Sequence, residues 1–444
     1  MEGILILYHK CEYVFTLRTY PKIRRPFFYI QKPQVFEYKK VNFLIFRIDT
    51  YDTKSKSSSP EIRAIIKPVI APPKTNPTWV DRPLTFQRML EDLRHCSTLA
   101  IDTESNSLFA YREQVCLIQF STGRSDYLID PLALHDLDGL GPVFADPNIE
   151  KIFHASEYDL ICLKRDFNFK FTNIFDTMQA ARILGRPAVG LGSMLEGEFG
   201  ILLDKHYQRA NWGLRPLPHA MLAYARLDSF YLISLRNRLK ADLEATGRWP
   251  LAAEDFQRLC NVDLPVLDNG VDLCWRVAGG HELDHQQLAV IQELCRYRDR
   301  QAQMADVPPF KIFGGDTLLQ IAQKCPISLE ELRSIPGLTT RKLERHGEAL
   351  LKAVQVGLQT EPVYRQSNHR PDNDYLQRLE LLRAWRKKAG QSMGVESDVI
   401  LPRDVMEAIA AANPHTLSEL APLMIDLPYR LSIHGEQILK AIKH

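Results

Sequence analysis

The sequence predicts an α/β domain followed by two copies of one small all-α module, with a basic extension in front. Three observations carry this. From Thr78 strand-like and helix-like segments alternate, as in a sheet covered by helices. From about Gly280 to the end the apolar residues recur at helical spacing. Within that helical half, a shift of 88 residues lays Leu288–Ala353 on the chain from Leu376 with 20 identities, about 30%, and no gap. Ile321-Ala322 falls on Ile409-Ala410, and His346-Gly347-Glu348 on His434-Gly435-Glu436.

Residues 1–76 differ from the rest. They carry 14 basic and 6 acidic residues and close in Ser57-Ser58-Ser59-Pro60 and Ala71-Pro72-Pro73-Lys74. We read them as a poorly ordered extension, or one translated from a start set too far upstream; a basic arm on nucleic-acid phosphates is the alternative. Three strands then follow in quick succession, Thr98–Ser105, Val115–Ser121 and Tyr127–Asp130, as a meander. A helix is expected over Leu132–Phe144, a strand over Lys151–His154, a helix over Glu157–Asp166, and one long helix from about Pro218 past Leu239. The α/β domain is therefore placed at 77–245, a connector at 246–280, the first helical module at 281–360, a linker at 361–374 and the second module at 375–444. The His-Gly pair of each module is expected to mark a turn before its last helix.

Composition bounds the class. In 444 residues, 45% hydrophobic and 25% charged, the balance is globular and excludes a disordered or collagen-like chain. Eight cysteines without a Cys-x-x-Cys pair fit a reducing compartment. No apolar run approaches the roughly 18 residues of a membrane span, and no leader pattern opens the chain, so no membrane association and a cytoplasmic location are expected.

The residues that point to chemistry are four carboxylates and a tyrosine. Asp102 and Glu104 stand at i and i+2 near the end of an apolar strand, so both project from one face. Asp159 begins a helix just after a short strand, and Tyr224 and Asp228 lie one turn apart on the long helix. All-oxygen ligands suit Mg²⁺ or Mn²⁺, and four carboxylates suit two ions, the arrangement that serves in-line phosphodiester displacement. Each pair alone is equally an ordinary strand end or helix face. His154 and Gln119 are left open between core residues and substrate contacts.

In order along the chain, Asp102-Thr103-Glu104, Tyr158-Asp159 and Tyr224-Ala225-Arg226-Leu227-Asp228 resemble the three motifs of the DEDD exonuclease superfamily, in its tyrosine subclass. Leu117-Ile118-Gln119, Leu128-Ile129-Asp130-Pro131, Asp176-Thr177 and Trp212 through Arg215-Pro216-Leu217 are similar to bacterial ribonuclease D, and the duplicated module resembles the HRDC domain. Asn211 departs from the family, where Asp is common. The resemblance covers Thr78 to the end. It implies an RNase H-like mixed sheet and a 3′-5′ exoribonuclease that releases nucleoside 5′-monophosphates and trims precursor tRNAs, with no protein partner predictable. It also implies that Asp102, Glu104 and Asp228 hold one divalent ion, and that Asp102 bridges to a second supported by Asp159. Tyr224 would orient, and help deprotonate, the attacking water.

Two other readings stand beside it. A 3′-5′ DNA exonuclease keeps the chemistry, although no helicase or polymerase motif accompanies it. A catalytically idle RNA-binding scaffold would be expected to lose acids, and all four are present. In the modules, Arg296-Tyr297-Arg298 and Trp385-Arg386-Lys387-Lys388 interleave aromatics with cations; the aromatics are read as core and the cations as candidate phosphate contacts. The overall charge of +2 conceals a partition: 77–280 holds 21 basic against 27 acidic residues, while both modules balance, with 10 of each over 281–360 and 11 of each over 361–444. An acidic catalytic region is what bound cations would neutralise.

Overall fold

The computed structural model describes residues 4–5, 15–16, 75–134, 136–264, 277, 283–363 and 372–443. Contacts divide the chain into two units, Met1–Ile66 and Lys67–His444. In the first, β1 (Ile4–Leu5) pairs antiparallel with β2 (Phe15–Thr16). The expectation of a poorly ordered extension otherwise falls outside the described residues.

The second unit opens on a six-stranded mixed sheet in the order β3-β6-β5-β4-β7-β8. Its strands are β3 (Thr78–Val80), β4 (Thr98–Ser105), β5 (Val115–Ser121), β6 (Asp126–Ile129), β7 (Glu150–Phe153) and β8 (Ile174–Asp176). The expected meander β4-β5-β6 is antiparallel, whereas β7 joins β4, β8 joins β7, and β3 joins β6 in parallel. All seven residues of β5 are buried, which explains its continuous apolar run. This is the RNase H-like mixed sheet, followed by two helical modules, that the resemblance implied.

Two expected helices differ. The apolar period from Pro218 past Leu239 runs through a break at Tyr231, where the helix His219–Phe230 ends and the helix Leu232–Ala245 begins. Both helices bury their apolar side, so the period alone does not reveal the junction. Among the described residues between Leu132 and Phe144, helix is confined to the segment Leu140–Ala145. Asp130 accepts from the Leu132 N–H through its side chain, and Asp136 likewise from the Asp138 N–H, holding the preceding residues in turns. A further helix, Trp249–Cys260, lies against β8, with Phe256 packed on Phe175.

The modules repeat in three dimensions as in sequence. His285–Ala305, Gly315–Lys324, Leu329–Arg333 and Thr340–Gln359 recur as Asn373–Met393, Arg403–Ala412, Leu417–Leu420 and Pro428–Ile442, each start displaced by the same 88 residues. Tyr297 is buried and Trp385 packs on its module's core, as expected of the aromatics. The His-Gly pairs are not turns; they lie inside the last helices. A Cβ on Gly347 would meet Leu329 Cδ2 at 2.6 Å, and one on Gly435 would meet Leu417 Cδ2 at 2.8 Å. Close helix approach, not chain reversal, explains the repeated glycine.

The second module is fastened to the sheet domain by Arg430, whose side chain is 0% exposed. Its guanidinium donates to Glu254, Asp255 and the Val399 carbonyl at 2.7–3.0 Å. Arg182 reaches Glu396 and Asp398, and Arg258 reaches Asp404. The first module meets the loop after β4 through Tyr111 and Asp299.

Candidate active site

Strand alternation places Asp102 and Glu104 on one side of β4, and the helix His219–Phe230 lies against β4 and β5 so that Asp228 reaches them. Carboxylate oxygens of Asp102, Glu104 and Asp228 all lie within 4.8 Å of one another. A register shift between Glu104 and Ser105 ends the ladder beside them, where a bulge can re-aim a side chain. Asp159, in the first turn of the helix Glu157–Phe167, accepts a short hydrogen bond from the Thr103 hydroxyl, between the two strand acids. Tyr224 sits one turn before Asp228, its ring against Tyr207 and Trp212 at centroid distances of 5.9 and 6.2 Å. The five residues singled out in the sequence therefore converge.

The acids pay for one another's company. Burial, then Asp159, Asp228 and Glu104, holds the Asp102 carboxyl well above the carboxylate range. Burial, then Asp228 and Asp159, pushes Glu104 up to about 9. Burial raises Asp159 to about 7, against the stabilising Thr103 hydrogen bond, and raises Asp228 to about 7. Burial and the same carboxylates push the Tyr224 hydroxyl upward, so it stays protonated at neutral pH.

The buried acids elsewhere are ion-paired or held by several hydrogen bonds. Arg226 forks onto Asp126, Arg215 onto Asp130 at 2.6 Å, and Arg430 onto Glu254 at 2.7 Å. Asp176, 1% exposed, accepts from the N–H groups of Ala155, Ser156, Met178 and Gln179. Among the described residues no Lys or Arg forms a salt bridge with Asp102, Glu104, Asp159 or Asp228. An all-carboxylate cluster with no cationic side chain is a donor set suited to a hard divalent cation.

Several supporting residues carry no sequence signal of their own. Asp176 holds the turn from β7 into the helix of Asp159, where Ala155 takes φ of 61°, a conformation β-carbon residues rarely adopt. Arg215 binds Asp130 and the Cys116 carbonyl, fixing the segment that places Trp212 beside Tyr224. Asp130, Asp176 and Arg215 all fall in stretches similar to ribonuclease D, which mark them without explaining them. Asn211, the departure from that family, accepts from the Gly213 N–H at 3.1 Å and closes a local turn. His154 is half-buried, its Nδ1 lies 2.9 Å from Thr177 Oγ1, and burial lowers its imidazole.

A family model described as 3′-5′ exonuclease matches residues 77–244, and the HRDC domain model matches 287–354 and 376–442. The chain carries a DEDD-type 3′-5′ exonuclease domain followed by two HRDC domains. Over 198 residues the chain is 37% identical to exosome complex exonuclease RRP6 of Saccharomyces cerevisiae, covering 44% of this chain and 27% of that protein. The catalytic core of RRP6 from Trypanosoma brucei is 28% identical at a TM-score of 0.57, covering 66% of this chain and 82% of that one. Escherichia coli RNase D matches at 24% identity and a TM-score of 0.62, over 83% of this chain and 99% of its own, which shows the fold alone. The chain spans less than half the length of the curated relatives it matches. Among the described residues no helix is long and apolar enough to cross a membrane.

Proposed function

We propose that the chain is a divalent-cation-dependent 3′-5′ exoribonuclease of ribonuclease D type, which removes nucleoside 5′-monophosphates from RNA 3′ ends, those of precursor tRNAs included. One observation carries this: among the described residues the four acids of the site have no arginine partner of the kind that Asp126, Asp130 and Glu254 each have. Asp159 is buried and the other three are half-buried, and unneutralised carboxylates crowded at a site partly removed from water are costly unless a cation completes them.

Asp102, Glu104 and Asp228 would hold one ion, and Asp102 with Asp159 the second. Two Mg²⁺ or Mn²⁺ ions would supply Lewis acidity and offset the negative charge of the phosphodiester. The neutral Tyr224 hydroxyl orients the water that attacks phosphorus. The 3′-oxygen of the penultimate nucleotide leaves and gains a proton. Thr103 fixes Asp159, and Asp176 fixes the turn that presents it.

The first HRDC domain supports a polyanionic substrate. Arg300, Lys311 and Arg345 are exposed, Lys342 is partly so, and none has an ion-pair partner among the described residues. Lys311 lies over Phe109 of the exonuclease domain, 4.3 Å from the ring centre, so this cationic face adjoins the loop that follows β4. The exonuclease reading is supported by the 37% identity to exosome complex exonuclease RRP6 of Saccharomyces cerevisiae. The domain order of one exonuclease and two HRDC copies supports the ribonuclease D type.

The test compares 5′-labelled RNA and DNA strands of one sequence, and a 3′-extended tRNA, with Mg²⁺ or Mn²⁺. Stepwise shortening of RNA with release of 5′-monophosphates is expected. Preference for DNA, or binding without turnover, would replace this reading with one of its alternatives.

A further inference from the structure

Gln119 stands opposite Asp102 in the β4/β5 register. It is 0% exposed, and its Nε2 donates to Asp102 Oδ2 at 3.3 Å. Its Oε1 is buried without a hydrogen-bond partner. A buried acceptor left unpaired is unfavourable, and an apolar side chain of similar volume would fill this sheet position without it. The neighbours of Gln119 on β5, Ile118 and Phe120, are both fully buried apolar residues.

We infer that Gln119 is a positioning residue of the reaction: its carboxamide holds the Asp102 carboxylate in the orientation that serves the cations. The inference rests on the cation-dependent reading above. Asp102 is the acid asked to face two ions, and its repulsion by Asp159, Asp228 and Glu104 leaves its carboxylate without an attractive contact from those neighbours. Only a donor can steady it, and only a neutral donor can do so without occupying the place of a cation. Glutamine in a fully buried strand meets both needs: it carries N–H groups, bears no charge, and is confined by the sheet. A glutamate there would add a fifth acid, and a lysine or arginine would supply the charge that the ions bring. Partners that orient a metal-ligating carboxylate commonly change cation affinity or activity by about 10–100-fold when removed.

The experiment uses the full chain without RNA. Mn²⁺ is titrated into wild type and Gln119→Met while free Mn²⁺ is followed by electron paramagnetic resonance, with thermal melting and steady-state kinetics alongside. The expected result is at least about tenfold weaker Mn²⁺ binding and about a 10–100-fold lower kcat. KM for RNA should be unchanged, and the melting temperature unchanged or raised. Gln119→Asn, which keeps an amide but shortens its reach, should show the same loss if the methionine variant fails to fold. Wild-type Mn²⁺ affinity and kcat in a folded variant would overturn the assignment, as would a kcat loss explained by a lowered melting temperature alone. If wild type itself binds no Mn²⁺, the proposed function falls together with it.

Discussion

The Tyr111 hydroxyl lies 2.9 and 3.0 Å from the two carboxylate oxygens of Asp299, joining the loop after β4 to the first HRDC domain. The same loop carries Glu113, which accepts from Ser105 at the end of β4 and from Tyr158 beside Asp159. One short loop thus touches the first HRDC domain, the strand of Glu104 and the residue before Asp159.

Tyr111→Phe removes that link while keeping the ring. A part-exposed hydrogen bond to a carboxylate is worth about 1 kcal/mol here. We expect KM for a 3′-extended RNA to rise roughly fivefold with kcat nearly unchanged. Steady-state kinetics check this; a loss confined to kcat would place the effect on the catalytic carboxylates instead.

Arg430→Ala strips a fully buried guanidinium from Glu254 and Asp255. Leaving the 7%-exposed Glu254 without its partner should cost about 3–5 kcal/mol. Denaturant unfolding should then show the second HRDC domain separating before the exonuclease domain, where wild type unfolds the two together.

Tyr224→Phe should leave Mn²⁺ binding intact and lower kcat by about 100-fold, the scale of a lost orienting or proton-transferring group. The burial and carboxylates that push this hydroxyl upward make it a neutral hydrogen-bonding group at pH 7. Activity should therefore show no rise tied to its ionisation below about pH 10.

The site acids also predict how pH acts on the ion-free chain. Asp159 and Asp228 ionise at about 7 in the fold and Glu104 at about 9, against about 4 in the unfolded chain. The folded state thus holds their protons longer, and stability is lost as pH rises from about 4 towards 9. Melting in EDTA should show this decline. Added Mg²⁺ or Mn²⁺ should raise the melting temperature most at the alkaline end, where the acids are ionised.

Much of this was legible in the sequence, for identifiable reasons. Asp102 and Glu104 could be placed on one face because strand alternation is rigid, and the two HRDC copies because their repeat has no gap. The break at Tyr231 was hidden because both flanking helices bury an apolar face. The roles of Arg215, Asp176 and Gln119 were hidden because their partners, Asp130, the Ala155–Ser156 turn and Asp102, lie on other elements. His346 misled because His-Gly looks like a turn signal; in the fold the imidazole Nδ1 and the Tyr297 hydroxyl share a hydrogen bond of 2.7 Å and the glycine admits Leu329.

The most direct test of the central claim, that cations complete the unneutralised acids and enable cleavage, is single-turnover shortening of a 5′-labelled RNA against Mn²⁺ concentration, using wild type, Asp102→Asn and Asp228→Asn. We expect wild type to be silent in EDTA and to gain activity as Mn²⁺ binds. Both variants should lose binding and cleavage together while keeping their fold, by more than the roughly 10–100-fold that an outer partner costs. Cleavage by wild type in EDTA, or undiminished cleavage by either variant, would contradict the account.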